Sequence, residues 1–586
     1  MINIKEDKRL NTLNHSCAHL LAQAVKHLYP NSMLWVGPVI EEGFYYDIDL
    51  NGKALTDEDL NKISKEMKRL AKDGKRIYRQ ELSKKEALEK FKDNPYKIEI
   101  IENIDDNETI SCYTQGDFTD LCRGPHVDSL KECKNFKLLK FSGSYYKGDS
   151  KNKVLQRIYG VCFDTKEDLE NHLKQLEEAK ERDHRKIGKE LGIFMMSDLV
   201  GKGMPLWLPD GYTLWRIIQN YITDKEVKHG YKHVHTPDLG NVELYKTSGH
   251  FDHYKDDMFP VMQLDNEQYV LRPMNCPHHM VIYGNTLHSY KDLPIRIAEI
   301  ANDFRYEAAG AVKGIERCRS FTQNDSHIFC RENQIKEEFK NVLDLIIEVY
   351  KDFGIDITKN KFRLSLRDKE DEKNKYFKDD NMWDTAESAL REVLDELKVD
   401  YFEAKGEAAF YGPKLDILIK PAVGNEVAIP TIQLDFLLPR KFNLTYINEK
   451  GEKETPIVIH RAILGSLDRF IAFLLEETKG ALPLWLSPNQ INIIPVNNEY
   501  HLKYAKEIYN KLKEENIRVL LDDRDEKLSY KMRESQIKKI PYTLILGDKE
   551  KVDNLVSYRK YSSKETTTLN VDEFINKIKQ KIEEKK

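Results

Sequence analysis

Cysteine is scarce, with 8 in 586 residues and no short-spaced framework. That excludes a disulfide-stapled scaffold and suits free thiols or metal ligands in a reducing compartment. Long apolar runs are also missing: stretches such as Phe470–Leu475 are far too short for a bilayer, and the opening MINIKEDKRL has no apolar segment followed by a cleavage site. A cytoplasmic location with no membrane association is the expectation. Neither sign of charge dominates, since 93 Lys and Arg face 98 Asp and Glu for a formal charge of −5, so the chain is no polyelectrolyte. Glycine-rich phosphate cradles are absent too, with no G-x-x-x-x-G-K-[ST] and no G-x-G-x-x-G in a strand-to-helix setting. Phosphates, if bound, must be held by arginine side chains.

What is present is enough for several cores. With 40% hydrophobic and 33% charged residues, the length suggests roughly four domains at ~150 residues each. Residues 1–165 mix helical and strand patterns with turn punctuation, as an α+β domain does. A charged linker helix over 166–187 follows, with Leu169, Leu173 and Leu176 on one stripe and Thr165 and Asp168 spaced as a capping pair. Residues 188–484 alternate strand-like runs (231–237, 293–307, 317–329, 428–436) with helices and end in an apolar helix from about Arg461 to Glu477. Such a pattern predicts a large α+β domain on an antiparallel sheet. In 485–586 short apolar strands (491–495, 518–521, 542–546) alternate with amphipathic helices, which predicts an α/β domain with parallel strands. From Leu486 onward 21 Lys and Arg face 17 Asp and Glu, a mildly basic end on an acidic body and a weak hint of a polyanionic partner.

The chemistry concentrates in the third segment. If Arg317–His327 is a strand, Arg317, Arg319, Phe321, Gln323, Asp325 and His327 project from one face. No core accepts that set, and the alternate face (Ser320, Thr322, Ser326, Ile328) is hardly an apolar inner layer. Arg305 and Glu307 share a face in the same way, as do Thr431, Gln433 and Asp435. His460 is read as opening a helix with Gly465 and Arg469 one turn apart. The glycine either serves close packing or leaves backbone open to a bulky anion beside the guanidinium. In the first segment His15 and His19 stand at i, i+4 on a helix, and Cys122 and His126 form a second pair. Spacing alone gives two readings, a four-ligand metal site or core histidines.

These elements resemble the three signature motifs of class II aminoacyl-tRNA synthetases: Gly230–Pro237 the dimer-forming motif 1, Asp303–Glu307 motif 2, and Gly465–Arg469 motif 3. The surrounding text is more specific. Arg272-Pro-Met-Asn-Cys-Pro277, Phe321–Phe329, Phe410-Tyr-Gly-Pro-Lys414, Gln433-Leu-Asp-Phe436 and His460–Ser466 are similar to threonyl-tRNA synthetases, over essentially the whole chain. Lys527-Leu-Ser-Tyr-Lys531 superficially matches the other synthetase class, but its companion His-Ile-Gly-His is missing.

The resemblance implies a class II antiparallel-sheet catalytic domain, an α+β editing domain, and an α/β anticodon-binding domain, without the small ubiquitin-like domain of longer relatives. It implies ATP-dependent joining of L-threonine to tRNA(Thr) by a homodimer. Cys276, His327 and His460, 51 and 133 residues apart, would hold one Zn²⁺ per subunit, and Mg²⁺ would accompany ATP. Arg305 would contact the α-phosphate, Glu307 and Phe321 the adenine, and Arg317 and Arg469 the β/γ-phosphates. Met274, Gln323, Asp325, Tyr411, Lys414, Gln433 and Ser466 would surround threonine, with Lys414 also counted among the catalytic groups. A hydroxyl-reading site rejects valine, but serine differs from threonine by one methyl, worth about 1–3 kcal/mol, so a hydrolytic second site is required. His15, His19, Tyr46, Lys97, Asp120, Cys122 and His126 would form it, and Asp525, Glu550 and Arg559 would read the anticodon. Asp525 stands where an asparagine is often found, so it accepts hydrogen bonds without donating one. A non-catalytic RNA-binding relative or a stand-alone deacylase is disfavoured because the motif arginines and candidate metal ligands are intact.

Overall fold

The structure, a computed structural model, describes residues 2–105, 108–149, 151–370, 375–421 and 426–586. Two compact units emerge, Met1–Glu178 and Ala179–Lys586.

In the first unit the helix Lys8–Leu28 is capped by Asp7, whose side chain accepts from the Leu10 N–H. Its Leu13, Cys17, Leu20, Leu21 and Ala24 are completely buried. That spacing puts one apolar stripe against an antiparallel sheet containing Gly43–Asp49, Val154–Cys162 and Phe136–Tyr145. Each buried Leu contributes about 1.5–3 kcal/mol. A three-stranded sheet, Ile77–Leu82, Ile110–Gln115 and Phe118–Leu121, carries Asp120. The capping pair expected at the next helix is present: the Thr165 hydroxyl donates to Asp168 (2.6 Å) and accepts its N–H (3.0 Å). That helix runs Lys166–Arg182 and then stops. Asp183 accepts from the Arg185 N–H and starts a new helix, His184–Leu191, where one continuous helix was expected.

The second unit is built on an eight-stranded sheet whose order is Lys232–His233, Ile295–Phe304, Ser320–Cys330, Ile457–Ser466, Val427–Asp435, Lys414–Ile419, Lys361–Leu366 and Tyr401–Lys405. The interior pairings are antiparallel, as expected, and only the two edge strands pair parallel. Helices Ile335–Asp352 and Leu467–Glu477 pack on the central strands through a core that includes Ile328, Ile432, Ile459 and Ile463.

One expectation fails here. Residues Ile457–Ser466 form a strand, and the helix begins only at Leu467. The strand is buried on both faces, so its apolar run has no two-residue alternation to betray it. Its register against Ser320–Cys330 slips between Gln323 and Asp325, whose partners are Ser466 and Ala462. The extra residues make a bulge in which Gly465 adopts φ +61°, a conformation that glycine enters without penalty. Gly465 therefore neither packs a helix nor sits on one.

In the C-terminal part, Ile491–Pro495, Val519–Leu521 and Tyr542–Leu546 pair parallel as expected. Two further strands, Leu555–Lys560 and Thr567–Asn570, extend the sheet antiparallel and make it mixed.

Candidate active site

Strand register brings together what the sequence separates. His327 lies directly opposite His460, which lies opposite Gln433, which lies opposite Lys414. The neighbouring row is Asp325, Ala462, Thr431 and Asp416. Because paired residues on adjacent strands put their Cβ atoms about 4.5–5.5 Å apart, these side chains form one polar patch on the sheet face away from the core helices.

Cys276 joins the first row from the start of the helix Cys276–Gly284, and its sulfur and the two imidazoles offer ligand atoms within 4.8 Å of one another. All three side chains are buried. The outward-facing ring nitrogens are engaged: His460 Nε2 meets Asp435 Oδ2 at 2.7 Å, and His327 Nδ1 meets His279 Nδ1 at 2.8 Å. His279 Nε2 in turn meets Glu299 Oε2 at 3.2 Å. The remaining nitrogens, His327 Nε2 and His460 Nδ1, are buried and make no hydrogen bond, although Asp325 Oδ2 stands 3.8 Å from His327 Nε2. Burial drives the His327 imidazole well below its ordinary pKa and the Cys276 thiol well above its own. One thiol and two imidazole nitrogens without hydrogen-bond partners fit a tetrahedral zinc that keeps an open position.

Two adjoining cavities cover this patch. One, of about 420 Å³, contains Met274, Cys276, Asp325, Tyr411 and His460. The other, of about 330 Å³, contains Glu307, Arg317, Phe321, Ser466 and Arg469. Arg305, Gln323, Lys414, Thr431, Gln433 and Ala462 line both. Ser466, expected beside threonine, thus lines the arginine-rich cavity, and its hydroxyl caps the Leu467–Glu477 helix by accepting the Arg469 N–H at 3.1 Å. The Tyr411 ring stacks on His460 with centroids 4.9 Å apart, and its hydroxyl donates to Gln433. Lys414 pairs with Asp416 at 3.1 Å.

In the second cavity the Arg305 guanidinium lies 5.1 Å from the Phe321 ring centroid, leaving a flat cation and an aromatic plate side by side. Arg317 donates to Glu307 at 2.9 Å, so the residues expected to grip opposite ends of ATP pair with each other. Arg469 is anchored by donating to the Glu316 carbonyl at 3.0 Å. Burial, reinforced by Arg305 and Arg317 nearby, depresses its pKa. Three guanidiniums, those of Arg305, Arg317 and Arg469, line this one cavity.

In the first unit a cavity of about 380 Å³ is lined by His15, His19, Tyr46, Lys97, Asp120 and Cys122. Cys122 Sγ bridges His15 Nε2 (3.1 Å) and His126 Nε2 (3.2 Å), while His126 Nδ1 reaches the Ser16 hydroxyl at 3.0 Å. His126 stands behind the lining, and the four ligand atoms of His15, His19, Cys122 and His126 lie within 4.8 Å of one another. Burial lowers the pKa of all three imidazoles and raises that of Cys122 to about 12. Opposite them Lys97 Nζ pairs with Asp120 at 2.6 Å, and the Tyr46 hydroxyl donates to the same carboxylate. The result is a pocket of neutral bases facing a buried ion pair.

The anticodon candidates are dispersed in the fold. Asp525 is exposed before the helix Leu528–Ile537, Arg559 donates to the Thr566 hydroxyl, and Glu550 accepts from Gly547 N–H and the Ser557 hydroxyl. Sequence reasoning missed His279 and Glu299. The only available signal was His279 three residues after Cys276 on one helix face.

The tRNA synthetase class II core domain (G, H, P, S and T) matches residues 259–478, an anticodon binding domain matches 490–581, and the threonyl and alanyl tRNA synthetase second additional domain matches 110–159. Threonine–tRNA ligase of Geobacillus sp. (strain WCH70) is 56% identical over 575 residues, covering 98% of this chain and 89% of its own length. That of Staphylococcus carnosus (strain TM300) is 57% identical over 581 residues, 99% of this chain and 89% of its own. A crystal structure of the RNA binding domain of threonyl-tRNA synthetase from Cryptosporidium parvum superposes with a TM-score of 0.64 at 36% identity, over 68% of this chain and 98% of that one. Matches of this identity and coverage, together with a metal-ready Cys/His/His set on an antiparallel sheet, establish that the chain belongs to the threonine–tRNA ligase family of class II aminoacyl-tRNA synthetases.

Proposed function

We propose that the chain joins L-threonine to tRNA(Thr) through a threonyl-adenylate and hydrolyses mischarged seryl-tRNA(Thr) in its first unit. The observation that carries the first half is the pair of His327 and His460 nitrogens without hydrogen-bond partners beside Cys276, next to a cavity that Cys276 and His460 line and that shares lining residues with an arginine-lined one. A zinc ion held by these three side chains would supply a Lewis-acid contact for the amino and hydroxyl groups of threonine.

The chain's own residues do the rest. Arg305, which lines both cavities, holds the threonine carboxylate and the α-phosphate together. Phe321 stacks on adenine and Glu307 accepts from its amino group once Arg317 turns to the phosphates with Arg469, where Mg²⁺ accompanies ATP. Asp325, Gln323, Tyr411, Lys414 and Gln433 orient threonine, and Met274 borders it. The carboxylate attacks the α-phosphorus and pyrophosphate leaves. The terminal hydroxyl of tRNA then attacks the adenylate carbonyl and AMP leaves. Catalysis is positioning plus stabilisation of developing charge. Threonine-dependent pyrophosphate exchange tests this: Cys276→Ser should lose both bound zinc and exchange, and full exchange in that variant would overturn the metal assignment.

The second half rests on the pocket around Cys122. Neutral imidazoles there can take a proton from water, and the Lys97–Asp120 pair with Tyr46 can orient an ester. A His15/His19 double alanine variant should accumulate seryl-tRNA while charging threonine normally; equal accumulation in the parent would remove the editing role. The strand Lys232–His233 at the edge of the sheet, inside the Gly230–Pro237 segment, supports a homodimer formed there. Asp525, Glu550 and Arg559 are the proposed anticodon contacts, and among the described residues no helix is long and apolar enough to cross a membrane.

A further inference from the structure

His184 has no part in either proposed site, yet it is completely buried at the start of the helix His184–Leu191. Its Nδ1 meets Glu476 Oε1 at 2.6 Å, and its own backbone N–H reaches the same oxygen at 3.4 Å. Two residues earlier, Arg182 donates to the carbonyls of Glu476 and Glu477 at 2.9 and 2.8 Å, closing the C-terminal end of the helix that carries Arg469. His184 Nε2 is buried without a partner. What lies over it is Gly314, at φ +49°, where an added Cβ would stand 2.2 Å from Nε2 and 2.8 Å from Arg185 Cγ.

Gly314 belongs to a closed turn. Lys313 N–H donates to the Arg317 carbonyl (3.1 Å), Arg317 N–H donates back (3.2 Å), and the Cys318 thiol donates to the Gly314 carbonyl (3.4 Å). The turn presents Glu316 and Arg317 to the arginine-lined cavity, and the Glu316 carbonyl receives Arg469. A carboxylate oxygen of Glu316 also lies within 4.8 Å of the ligand atoms of His184 and Glu476. The trio has the composition of a metal site, but Nδ1 and Glu476 Oε1 already stand at a hydrogen-bond length of 2.6 Å, and Nε2 lies where a Cβ on Gly314 would collide with it. The imidazole is a wedge, bonded to one helix by Nδ1 and pressed under a glycine turn by Nε2.

We propose that His184 is a positioning residue of the nucleotide site: it seats the Lys313–Arg317 turn against the end of the Leu467–Glu477 helix and so sets the spacing of Arg317 and Arg469. This rests on the phosphate role proposed for those two arginines. A glycine is needed at 314 because the wedge leaves no space for a side chain, and the unpartnered Nε2 is tolerated because the Nδ1 bond to a carboxylate outweighs it.

The test is pyrophosphate exchange with full-length protein, measuring KM for ATP and for threonine separately. Losing a hydrogen bond to a charged group predicts that His184→Ala raises KM for ATP about 10-fold while KM for threonine stays within about twofold. His184→Asn, whose amide nitrogen overlays Nδ1, should return KM for ATP to within about threefold of the parent, whereas His184→Gln, whose amide overlays Nε2, should behave as Ala does. The Asn and Gln variants keep the comparison intact if Ala does not fold. An unchanged KM for ATP, a parallel rise in both constants, or equal behaviour of Asn and Gln would overturn the proposal. So would metal that persists in Cys276→Ser and is lost on adding His184→Ala. Arg469→Ala separates the two readings: if it leaves KM for ATP unaltered, the phosphate assignment fails, irrespective of His184.

Discussion

Asp435→Asn is the substitution that most directly probes the Cys276/His327/His460 centre. The Asp435 carboxylate is fully buried and divided between two tasks. Oδ1 accepts the N–H groups of Leu437 (2.7 Å) and Leu438 (3.0 Å), while Oδ2 meets His460 Nε2 at 2.7 Å. That second contact fixes the proton on Nε2 and leaves the Nδ1 lone pair aimed at Cys276 and His327. An asparagine has one carbonyl oxygen, and the two backbone N–H groups claim it. Its NH₂ then faces His460, which must accept through Nε2 and carry its proton on Nδ1, the atom that would ligate the metal. If the amide flips, two backbone donors face an NH₂ instead, an arrangement that costs about 1–3 kcal/mol per unsatisfied group. Either way metal affinity should fall about 10- to 100-fold, or about 1.4–2.8 kcal/mol. The assay is zinc retention against a graded chelator, read by metal analysis on the same sample used for circular dichroism. The helical signal should be unchanged because Oδ1 keeps its role. Zinc retention equal to the parent's at every chelator concentration would refute the tautomer argument.

Three further outcomes are expected. Lys97→Met should destabilise the protein by about 3–5 kcal/mol in urea unfolding, because it strands a carboxylate whose side chain is 3% exposed; a loss below about 1 kcal/mol would mean that Asp120 is protonated or hydrated. Gly37→Ala should impair seryl-tRNA hydrolysis without affecting threonine activation, since its Cβ would fall 2.3 Å from the Tyr46 ring; normal hydrolysis would show that Tyr46 is dispensable there. Burial lowers the pKa of His27, but bonds to Glu66 (2.6 Å) and Asp117 (3.0 Å) outweigh it and leave the pKa raised. A raised histidine stabilises fully below its unfolded value of about 6.5 and loses that contribution as pH climbs through the folded value. His27→Ala should therefore lower the melting temperature more at about pH 5.5 than at about pH 9, and an equal drop at both would refute the ionic contribution.

How much of this was legible beforehand depended on whether a face was half-exposed. Gln323, Asp325 and His327 alternate with buried residues, and their two-residue period survives the bulge well enough to be read from the text. His460 sits in a strand buried on both sides, where Ile457–Leu464 give no alternation, so the apolar run reads as a helix. The metal set itself could not come from spacing, because register places His327 opposite His460, a residue 133 positions further along the chain. It came through the resemblance. Asp435 alternates with Gln433 and Thr431, and His279 follows Cys276 on one helix face, but nothing local pairs either of them or Glu299 with a particular imidazole, since a proton relay between a helix and two strands is a property of packing. The break at Asp183 was hidden for a different reason: the residue reads equally as a polar position within a charged helix or as the cap of the next one.

The floor shared by the two cavities has a thermodynamic meaning. Gln323, Lys414, Thr431, Gln433 and Ala462 line both compartments from strands of one sheet, so whatever ligand occupies one side immobilises side chains that the other side needs. Threonine and ATP should then bind with positive linkage, each tightening the other by the same factor. A single molecule that spans the floor would order those side chains once, and its affinity should exceed the product of its halves. Attempts to alter amino acid preference at Gln433 or Thr431 should shift the apparent ATP requirement as well, because the sheet offers no partition between the two.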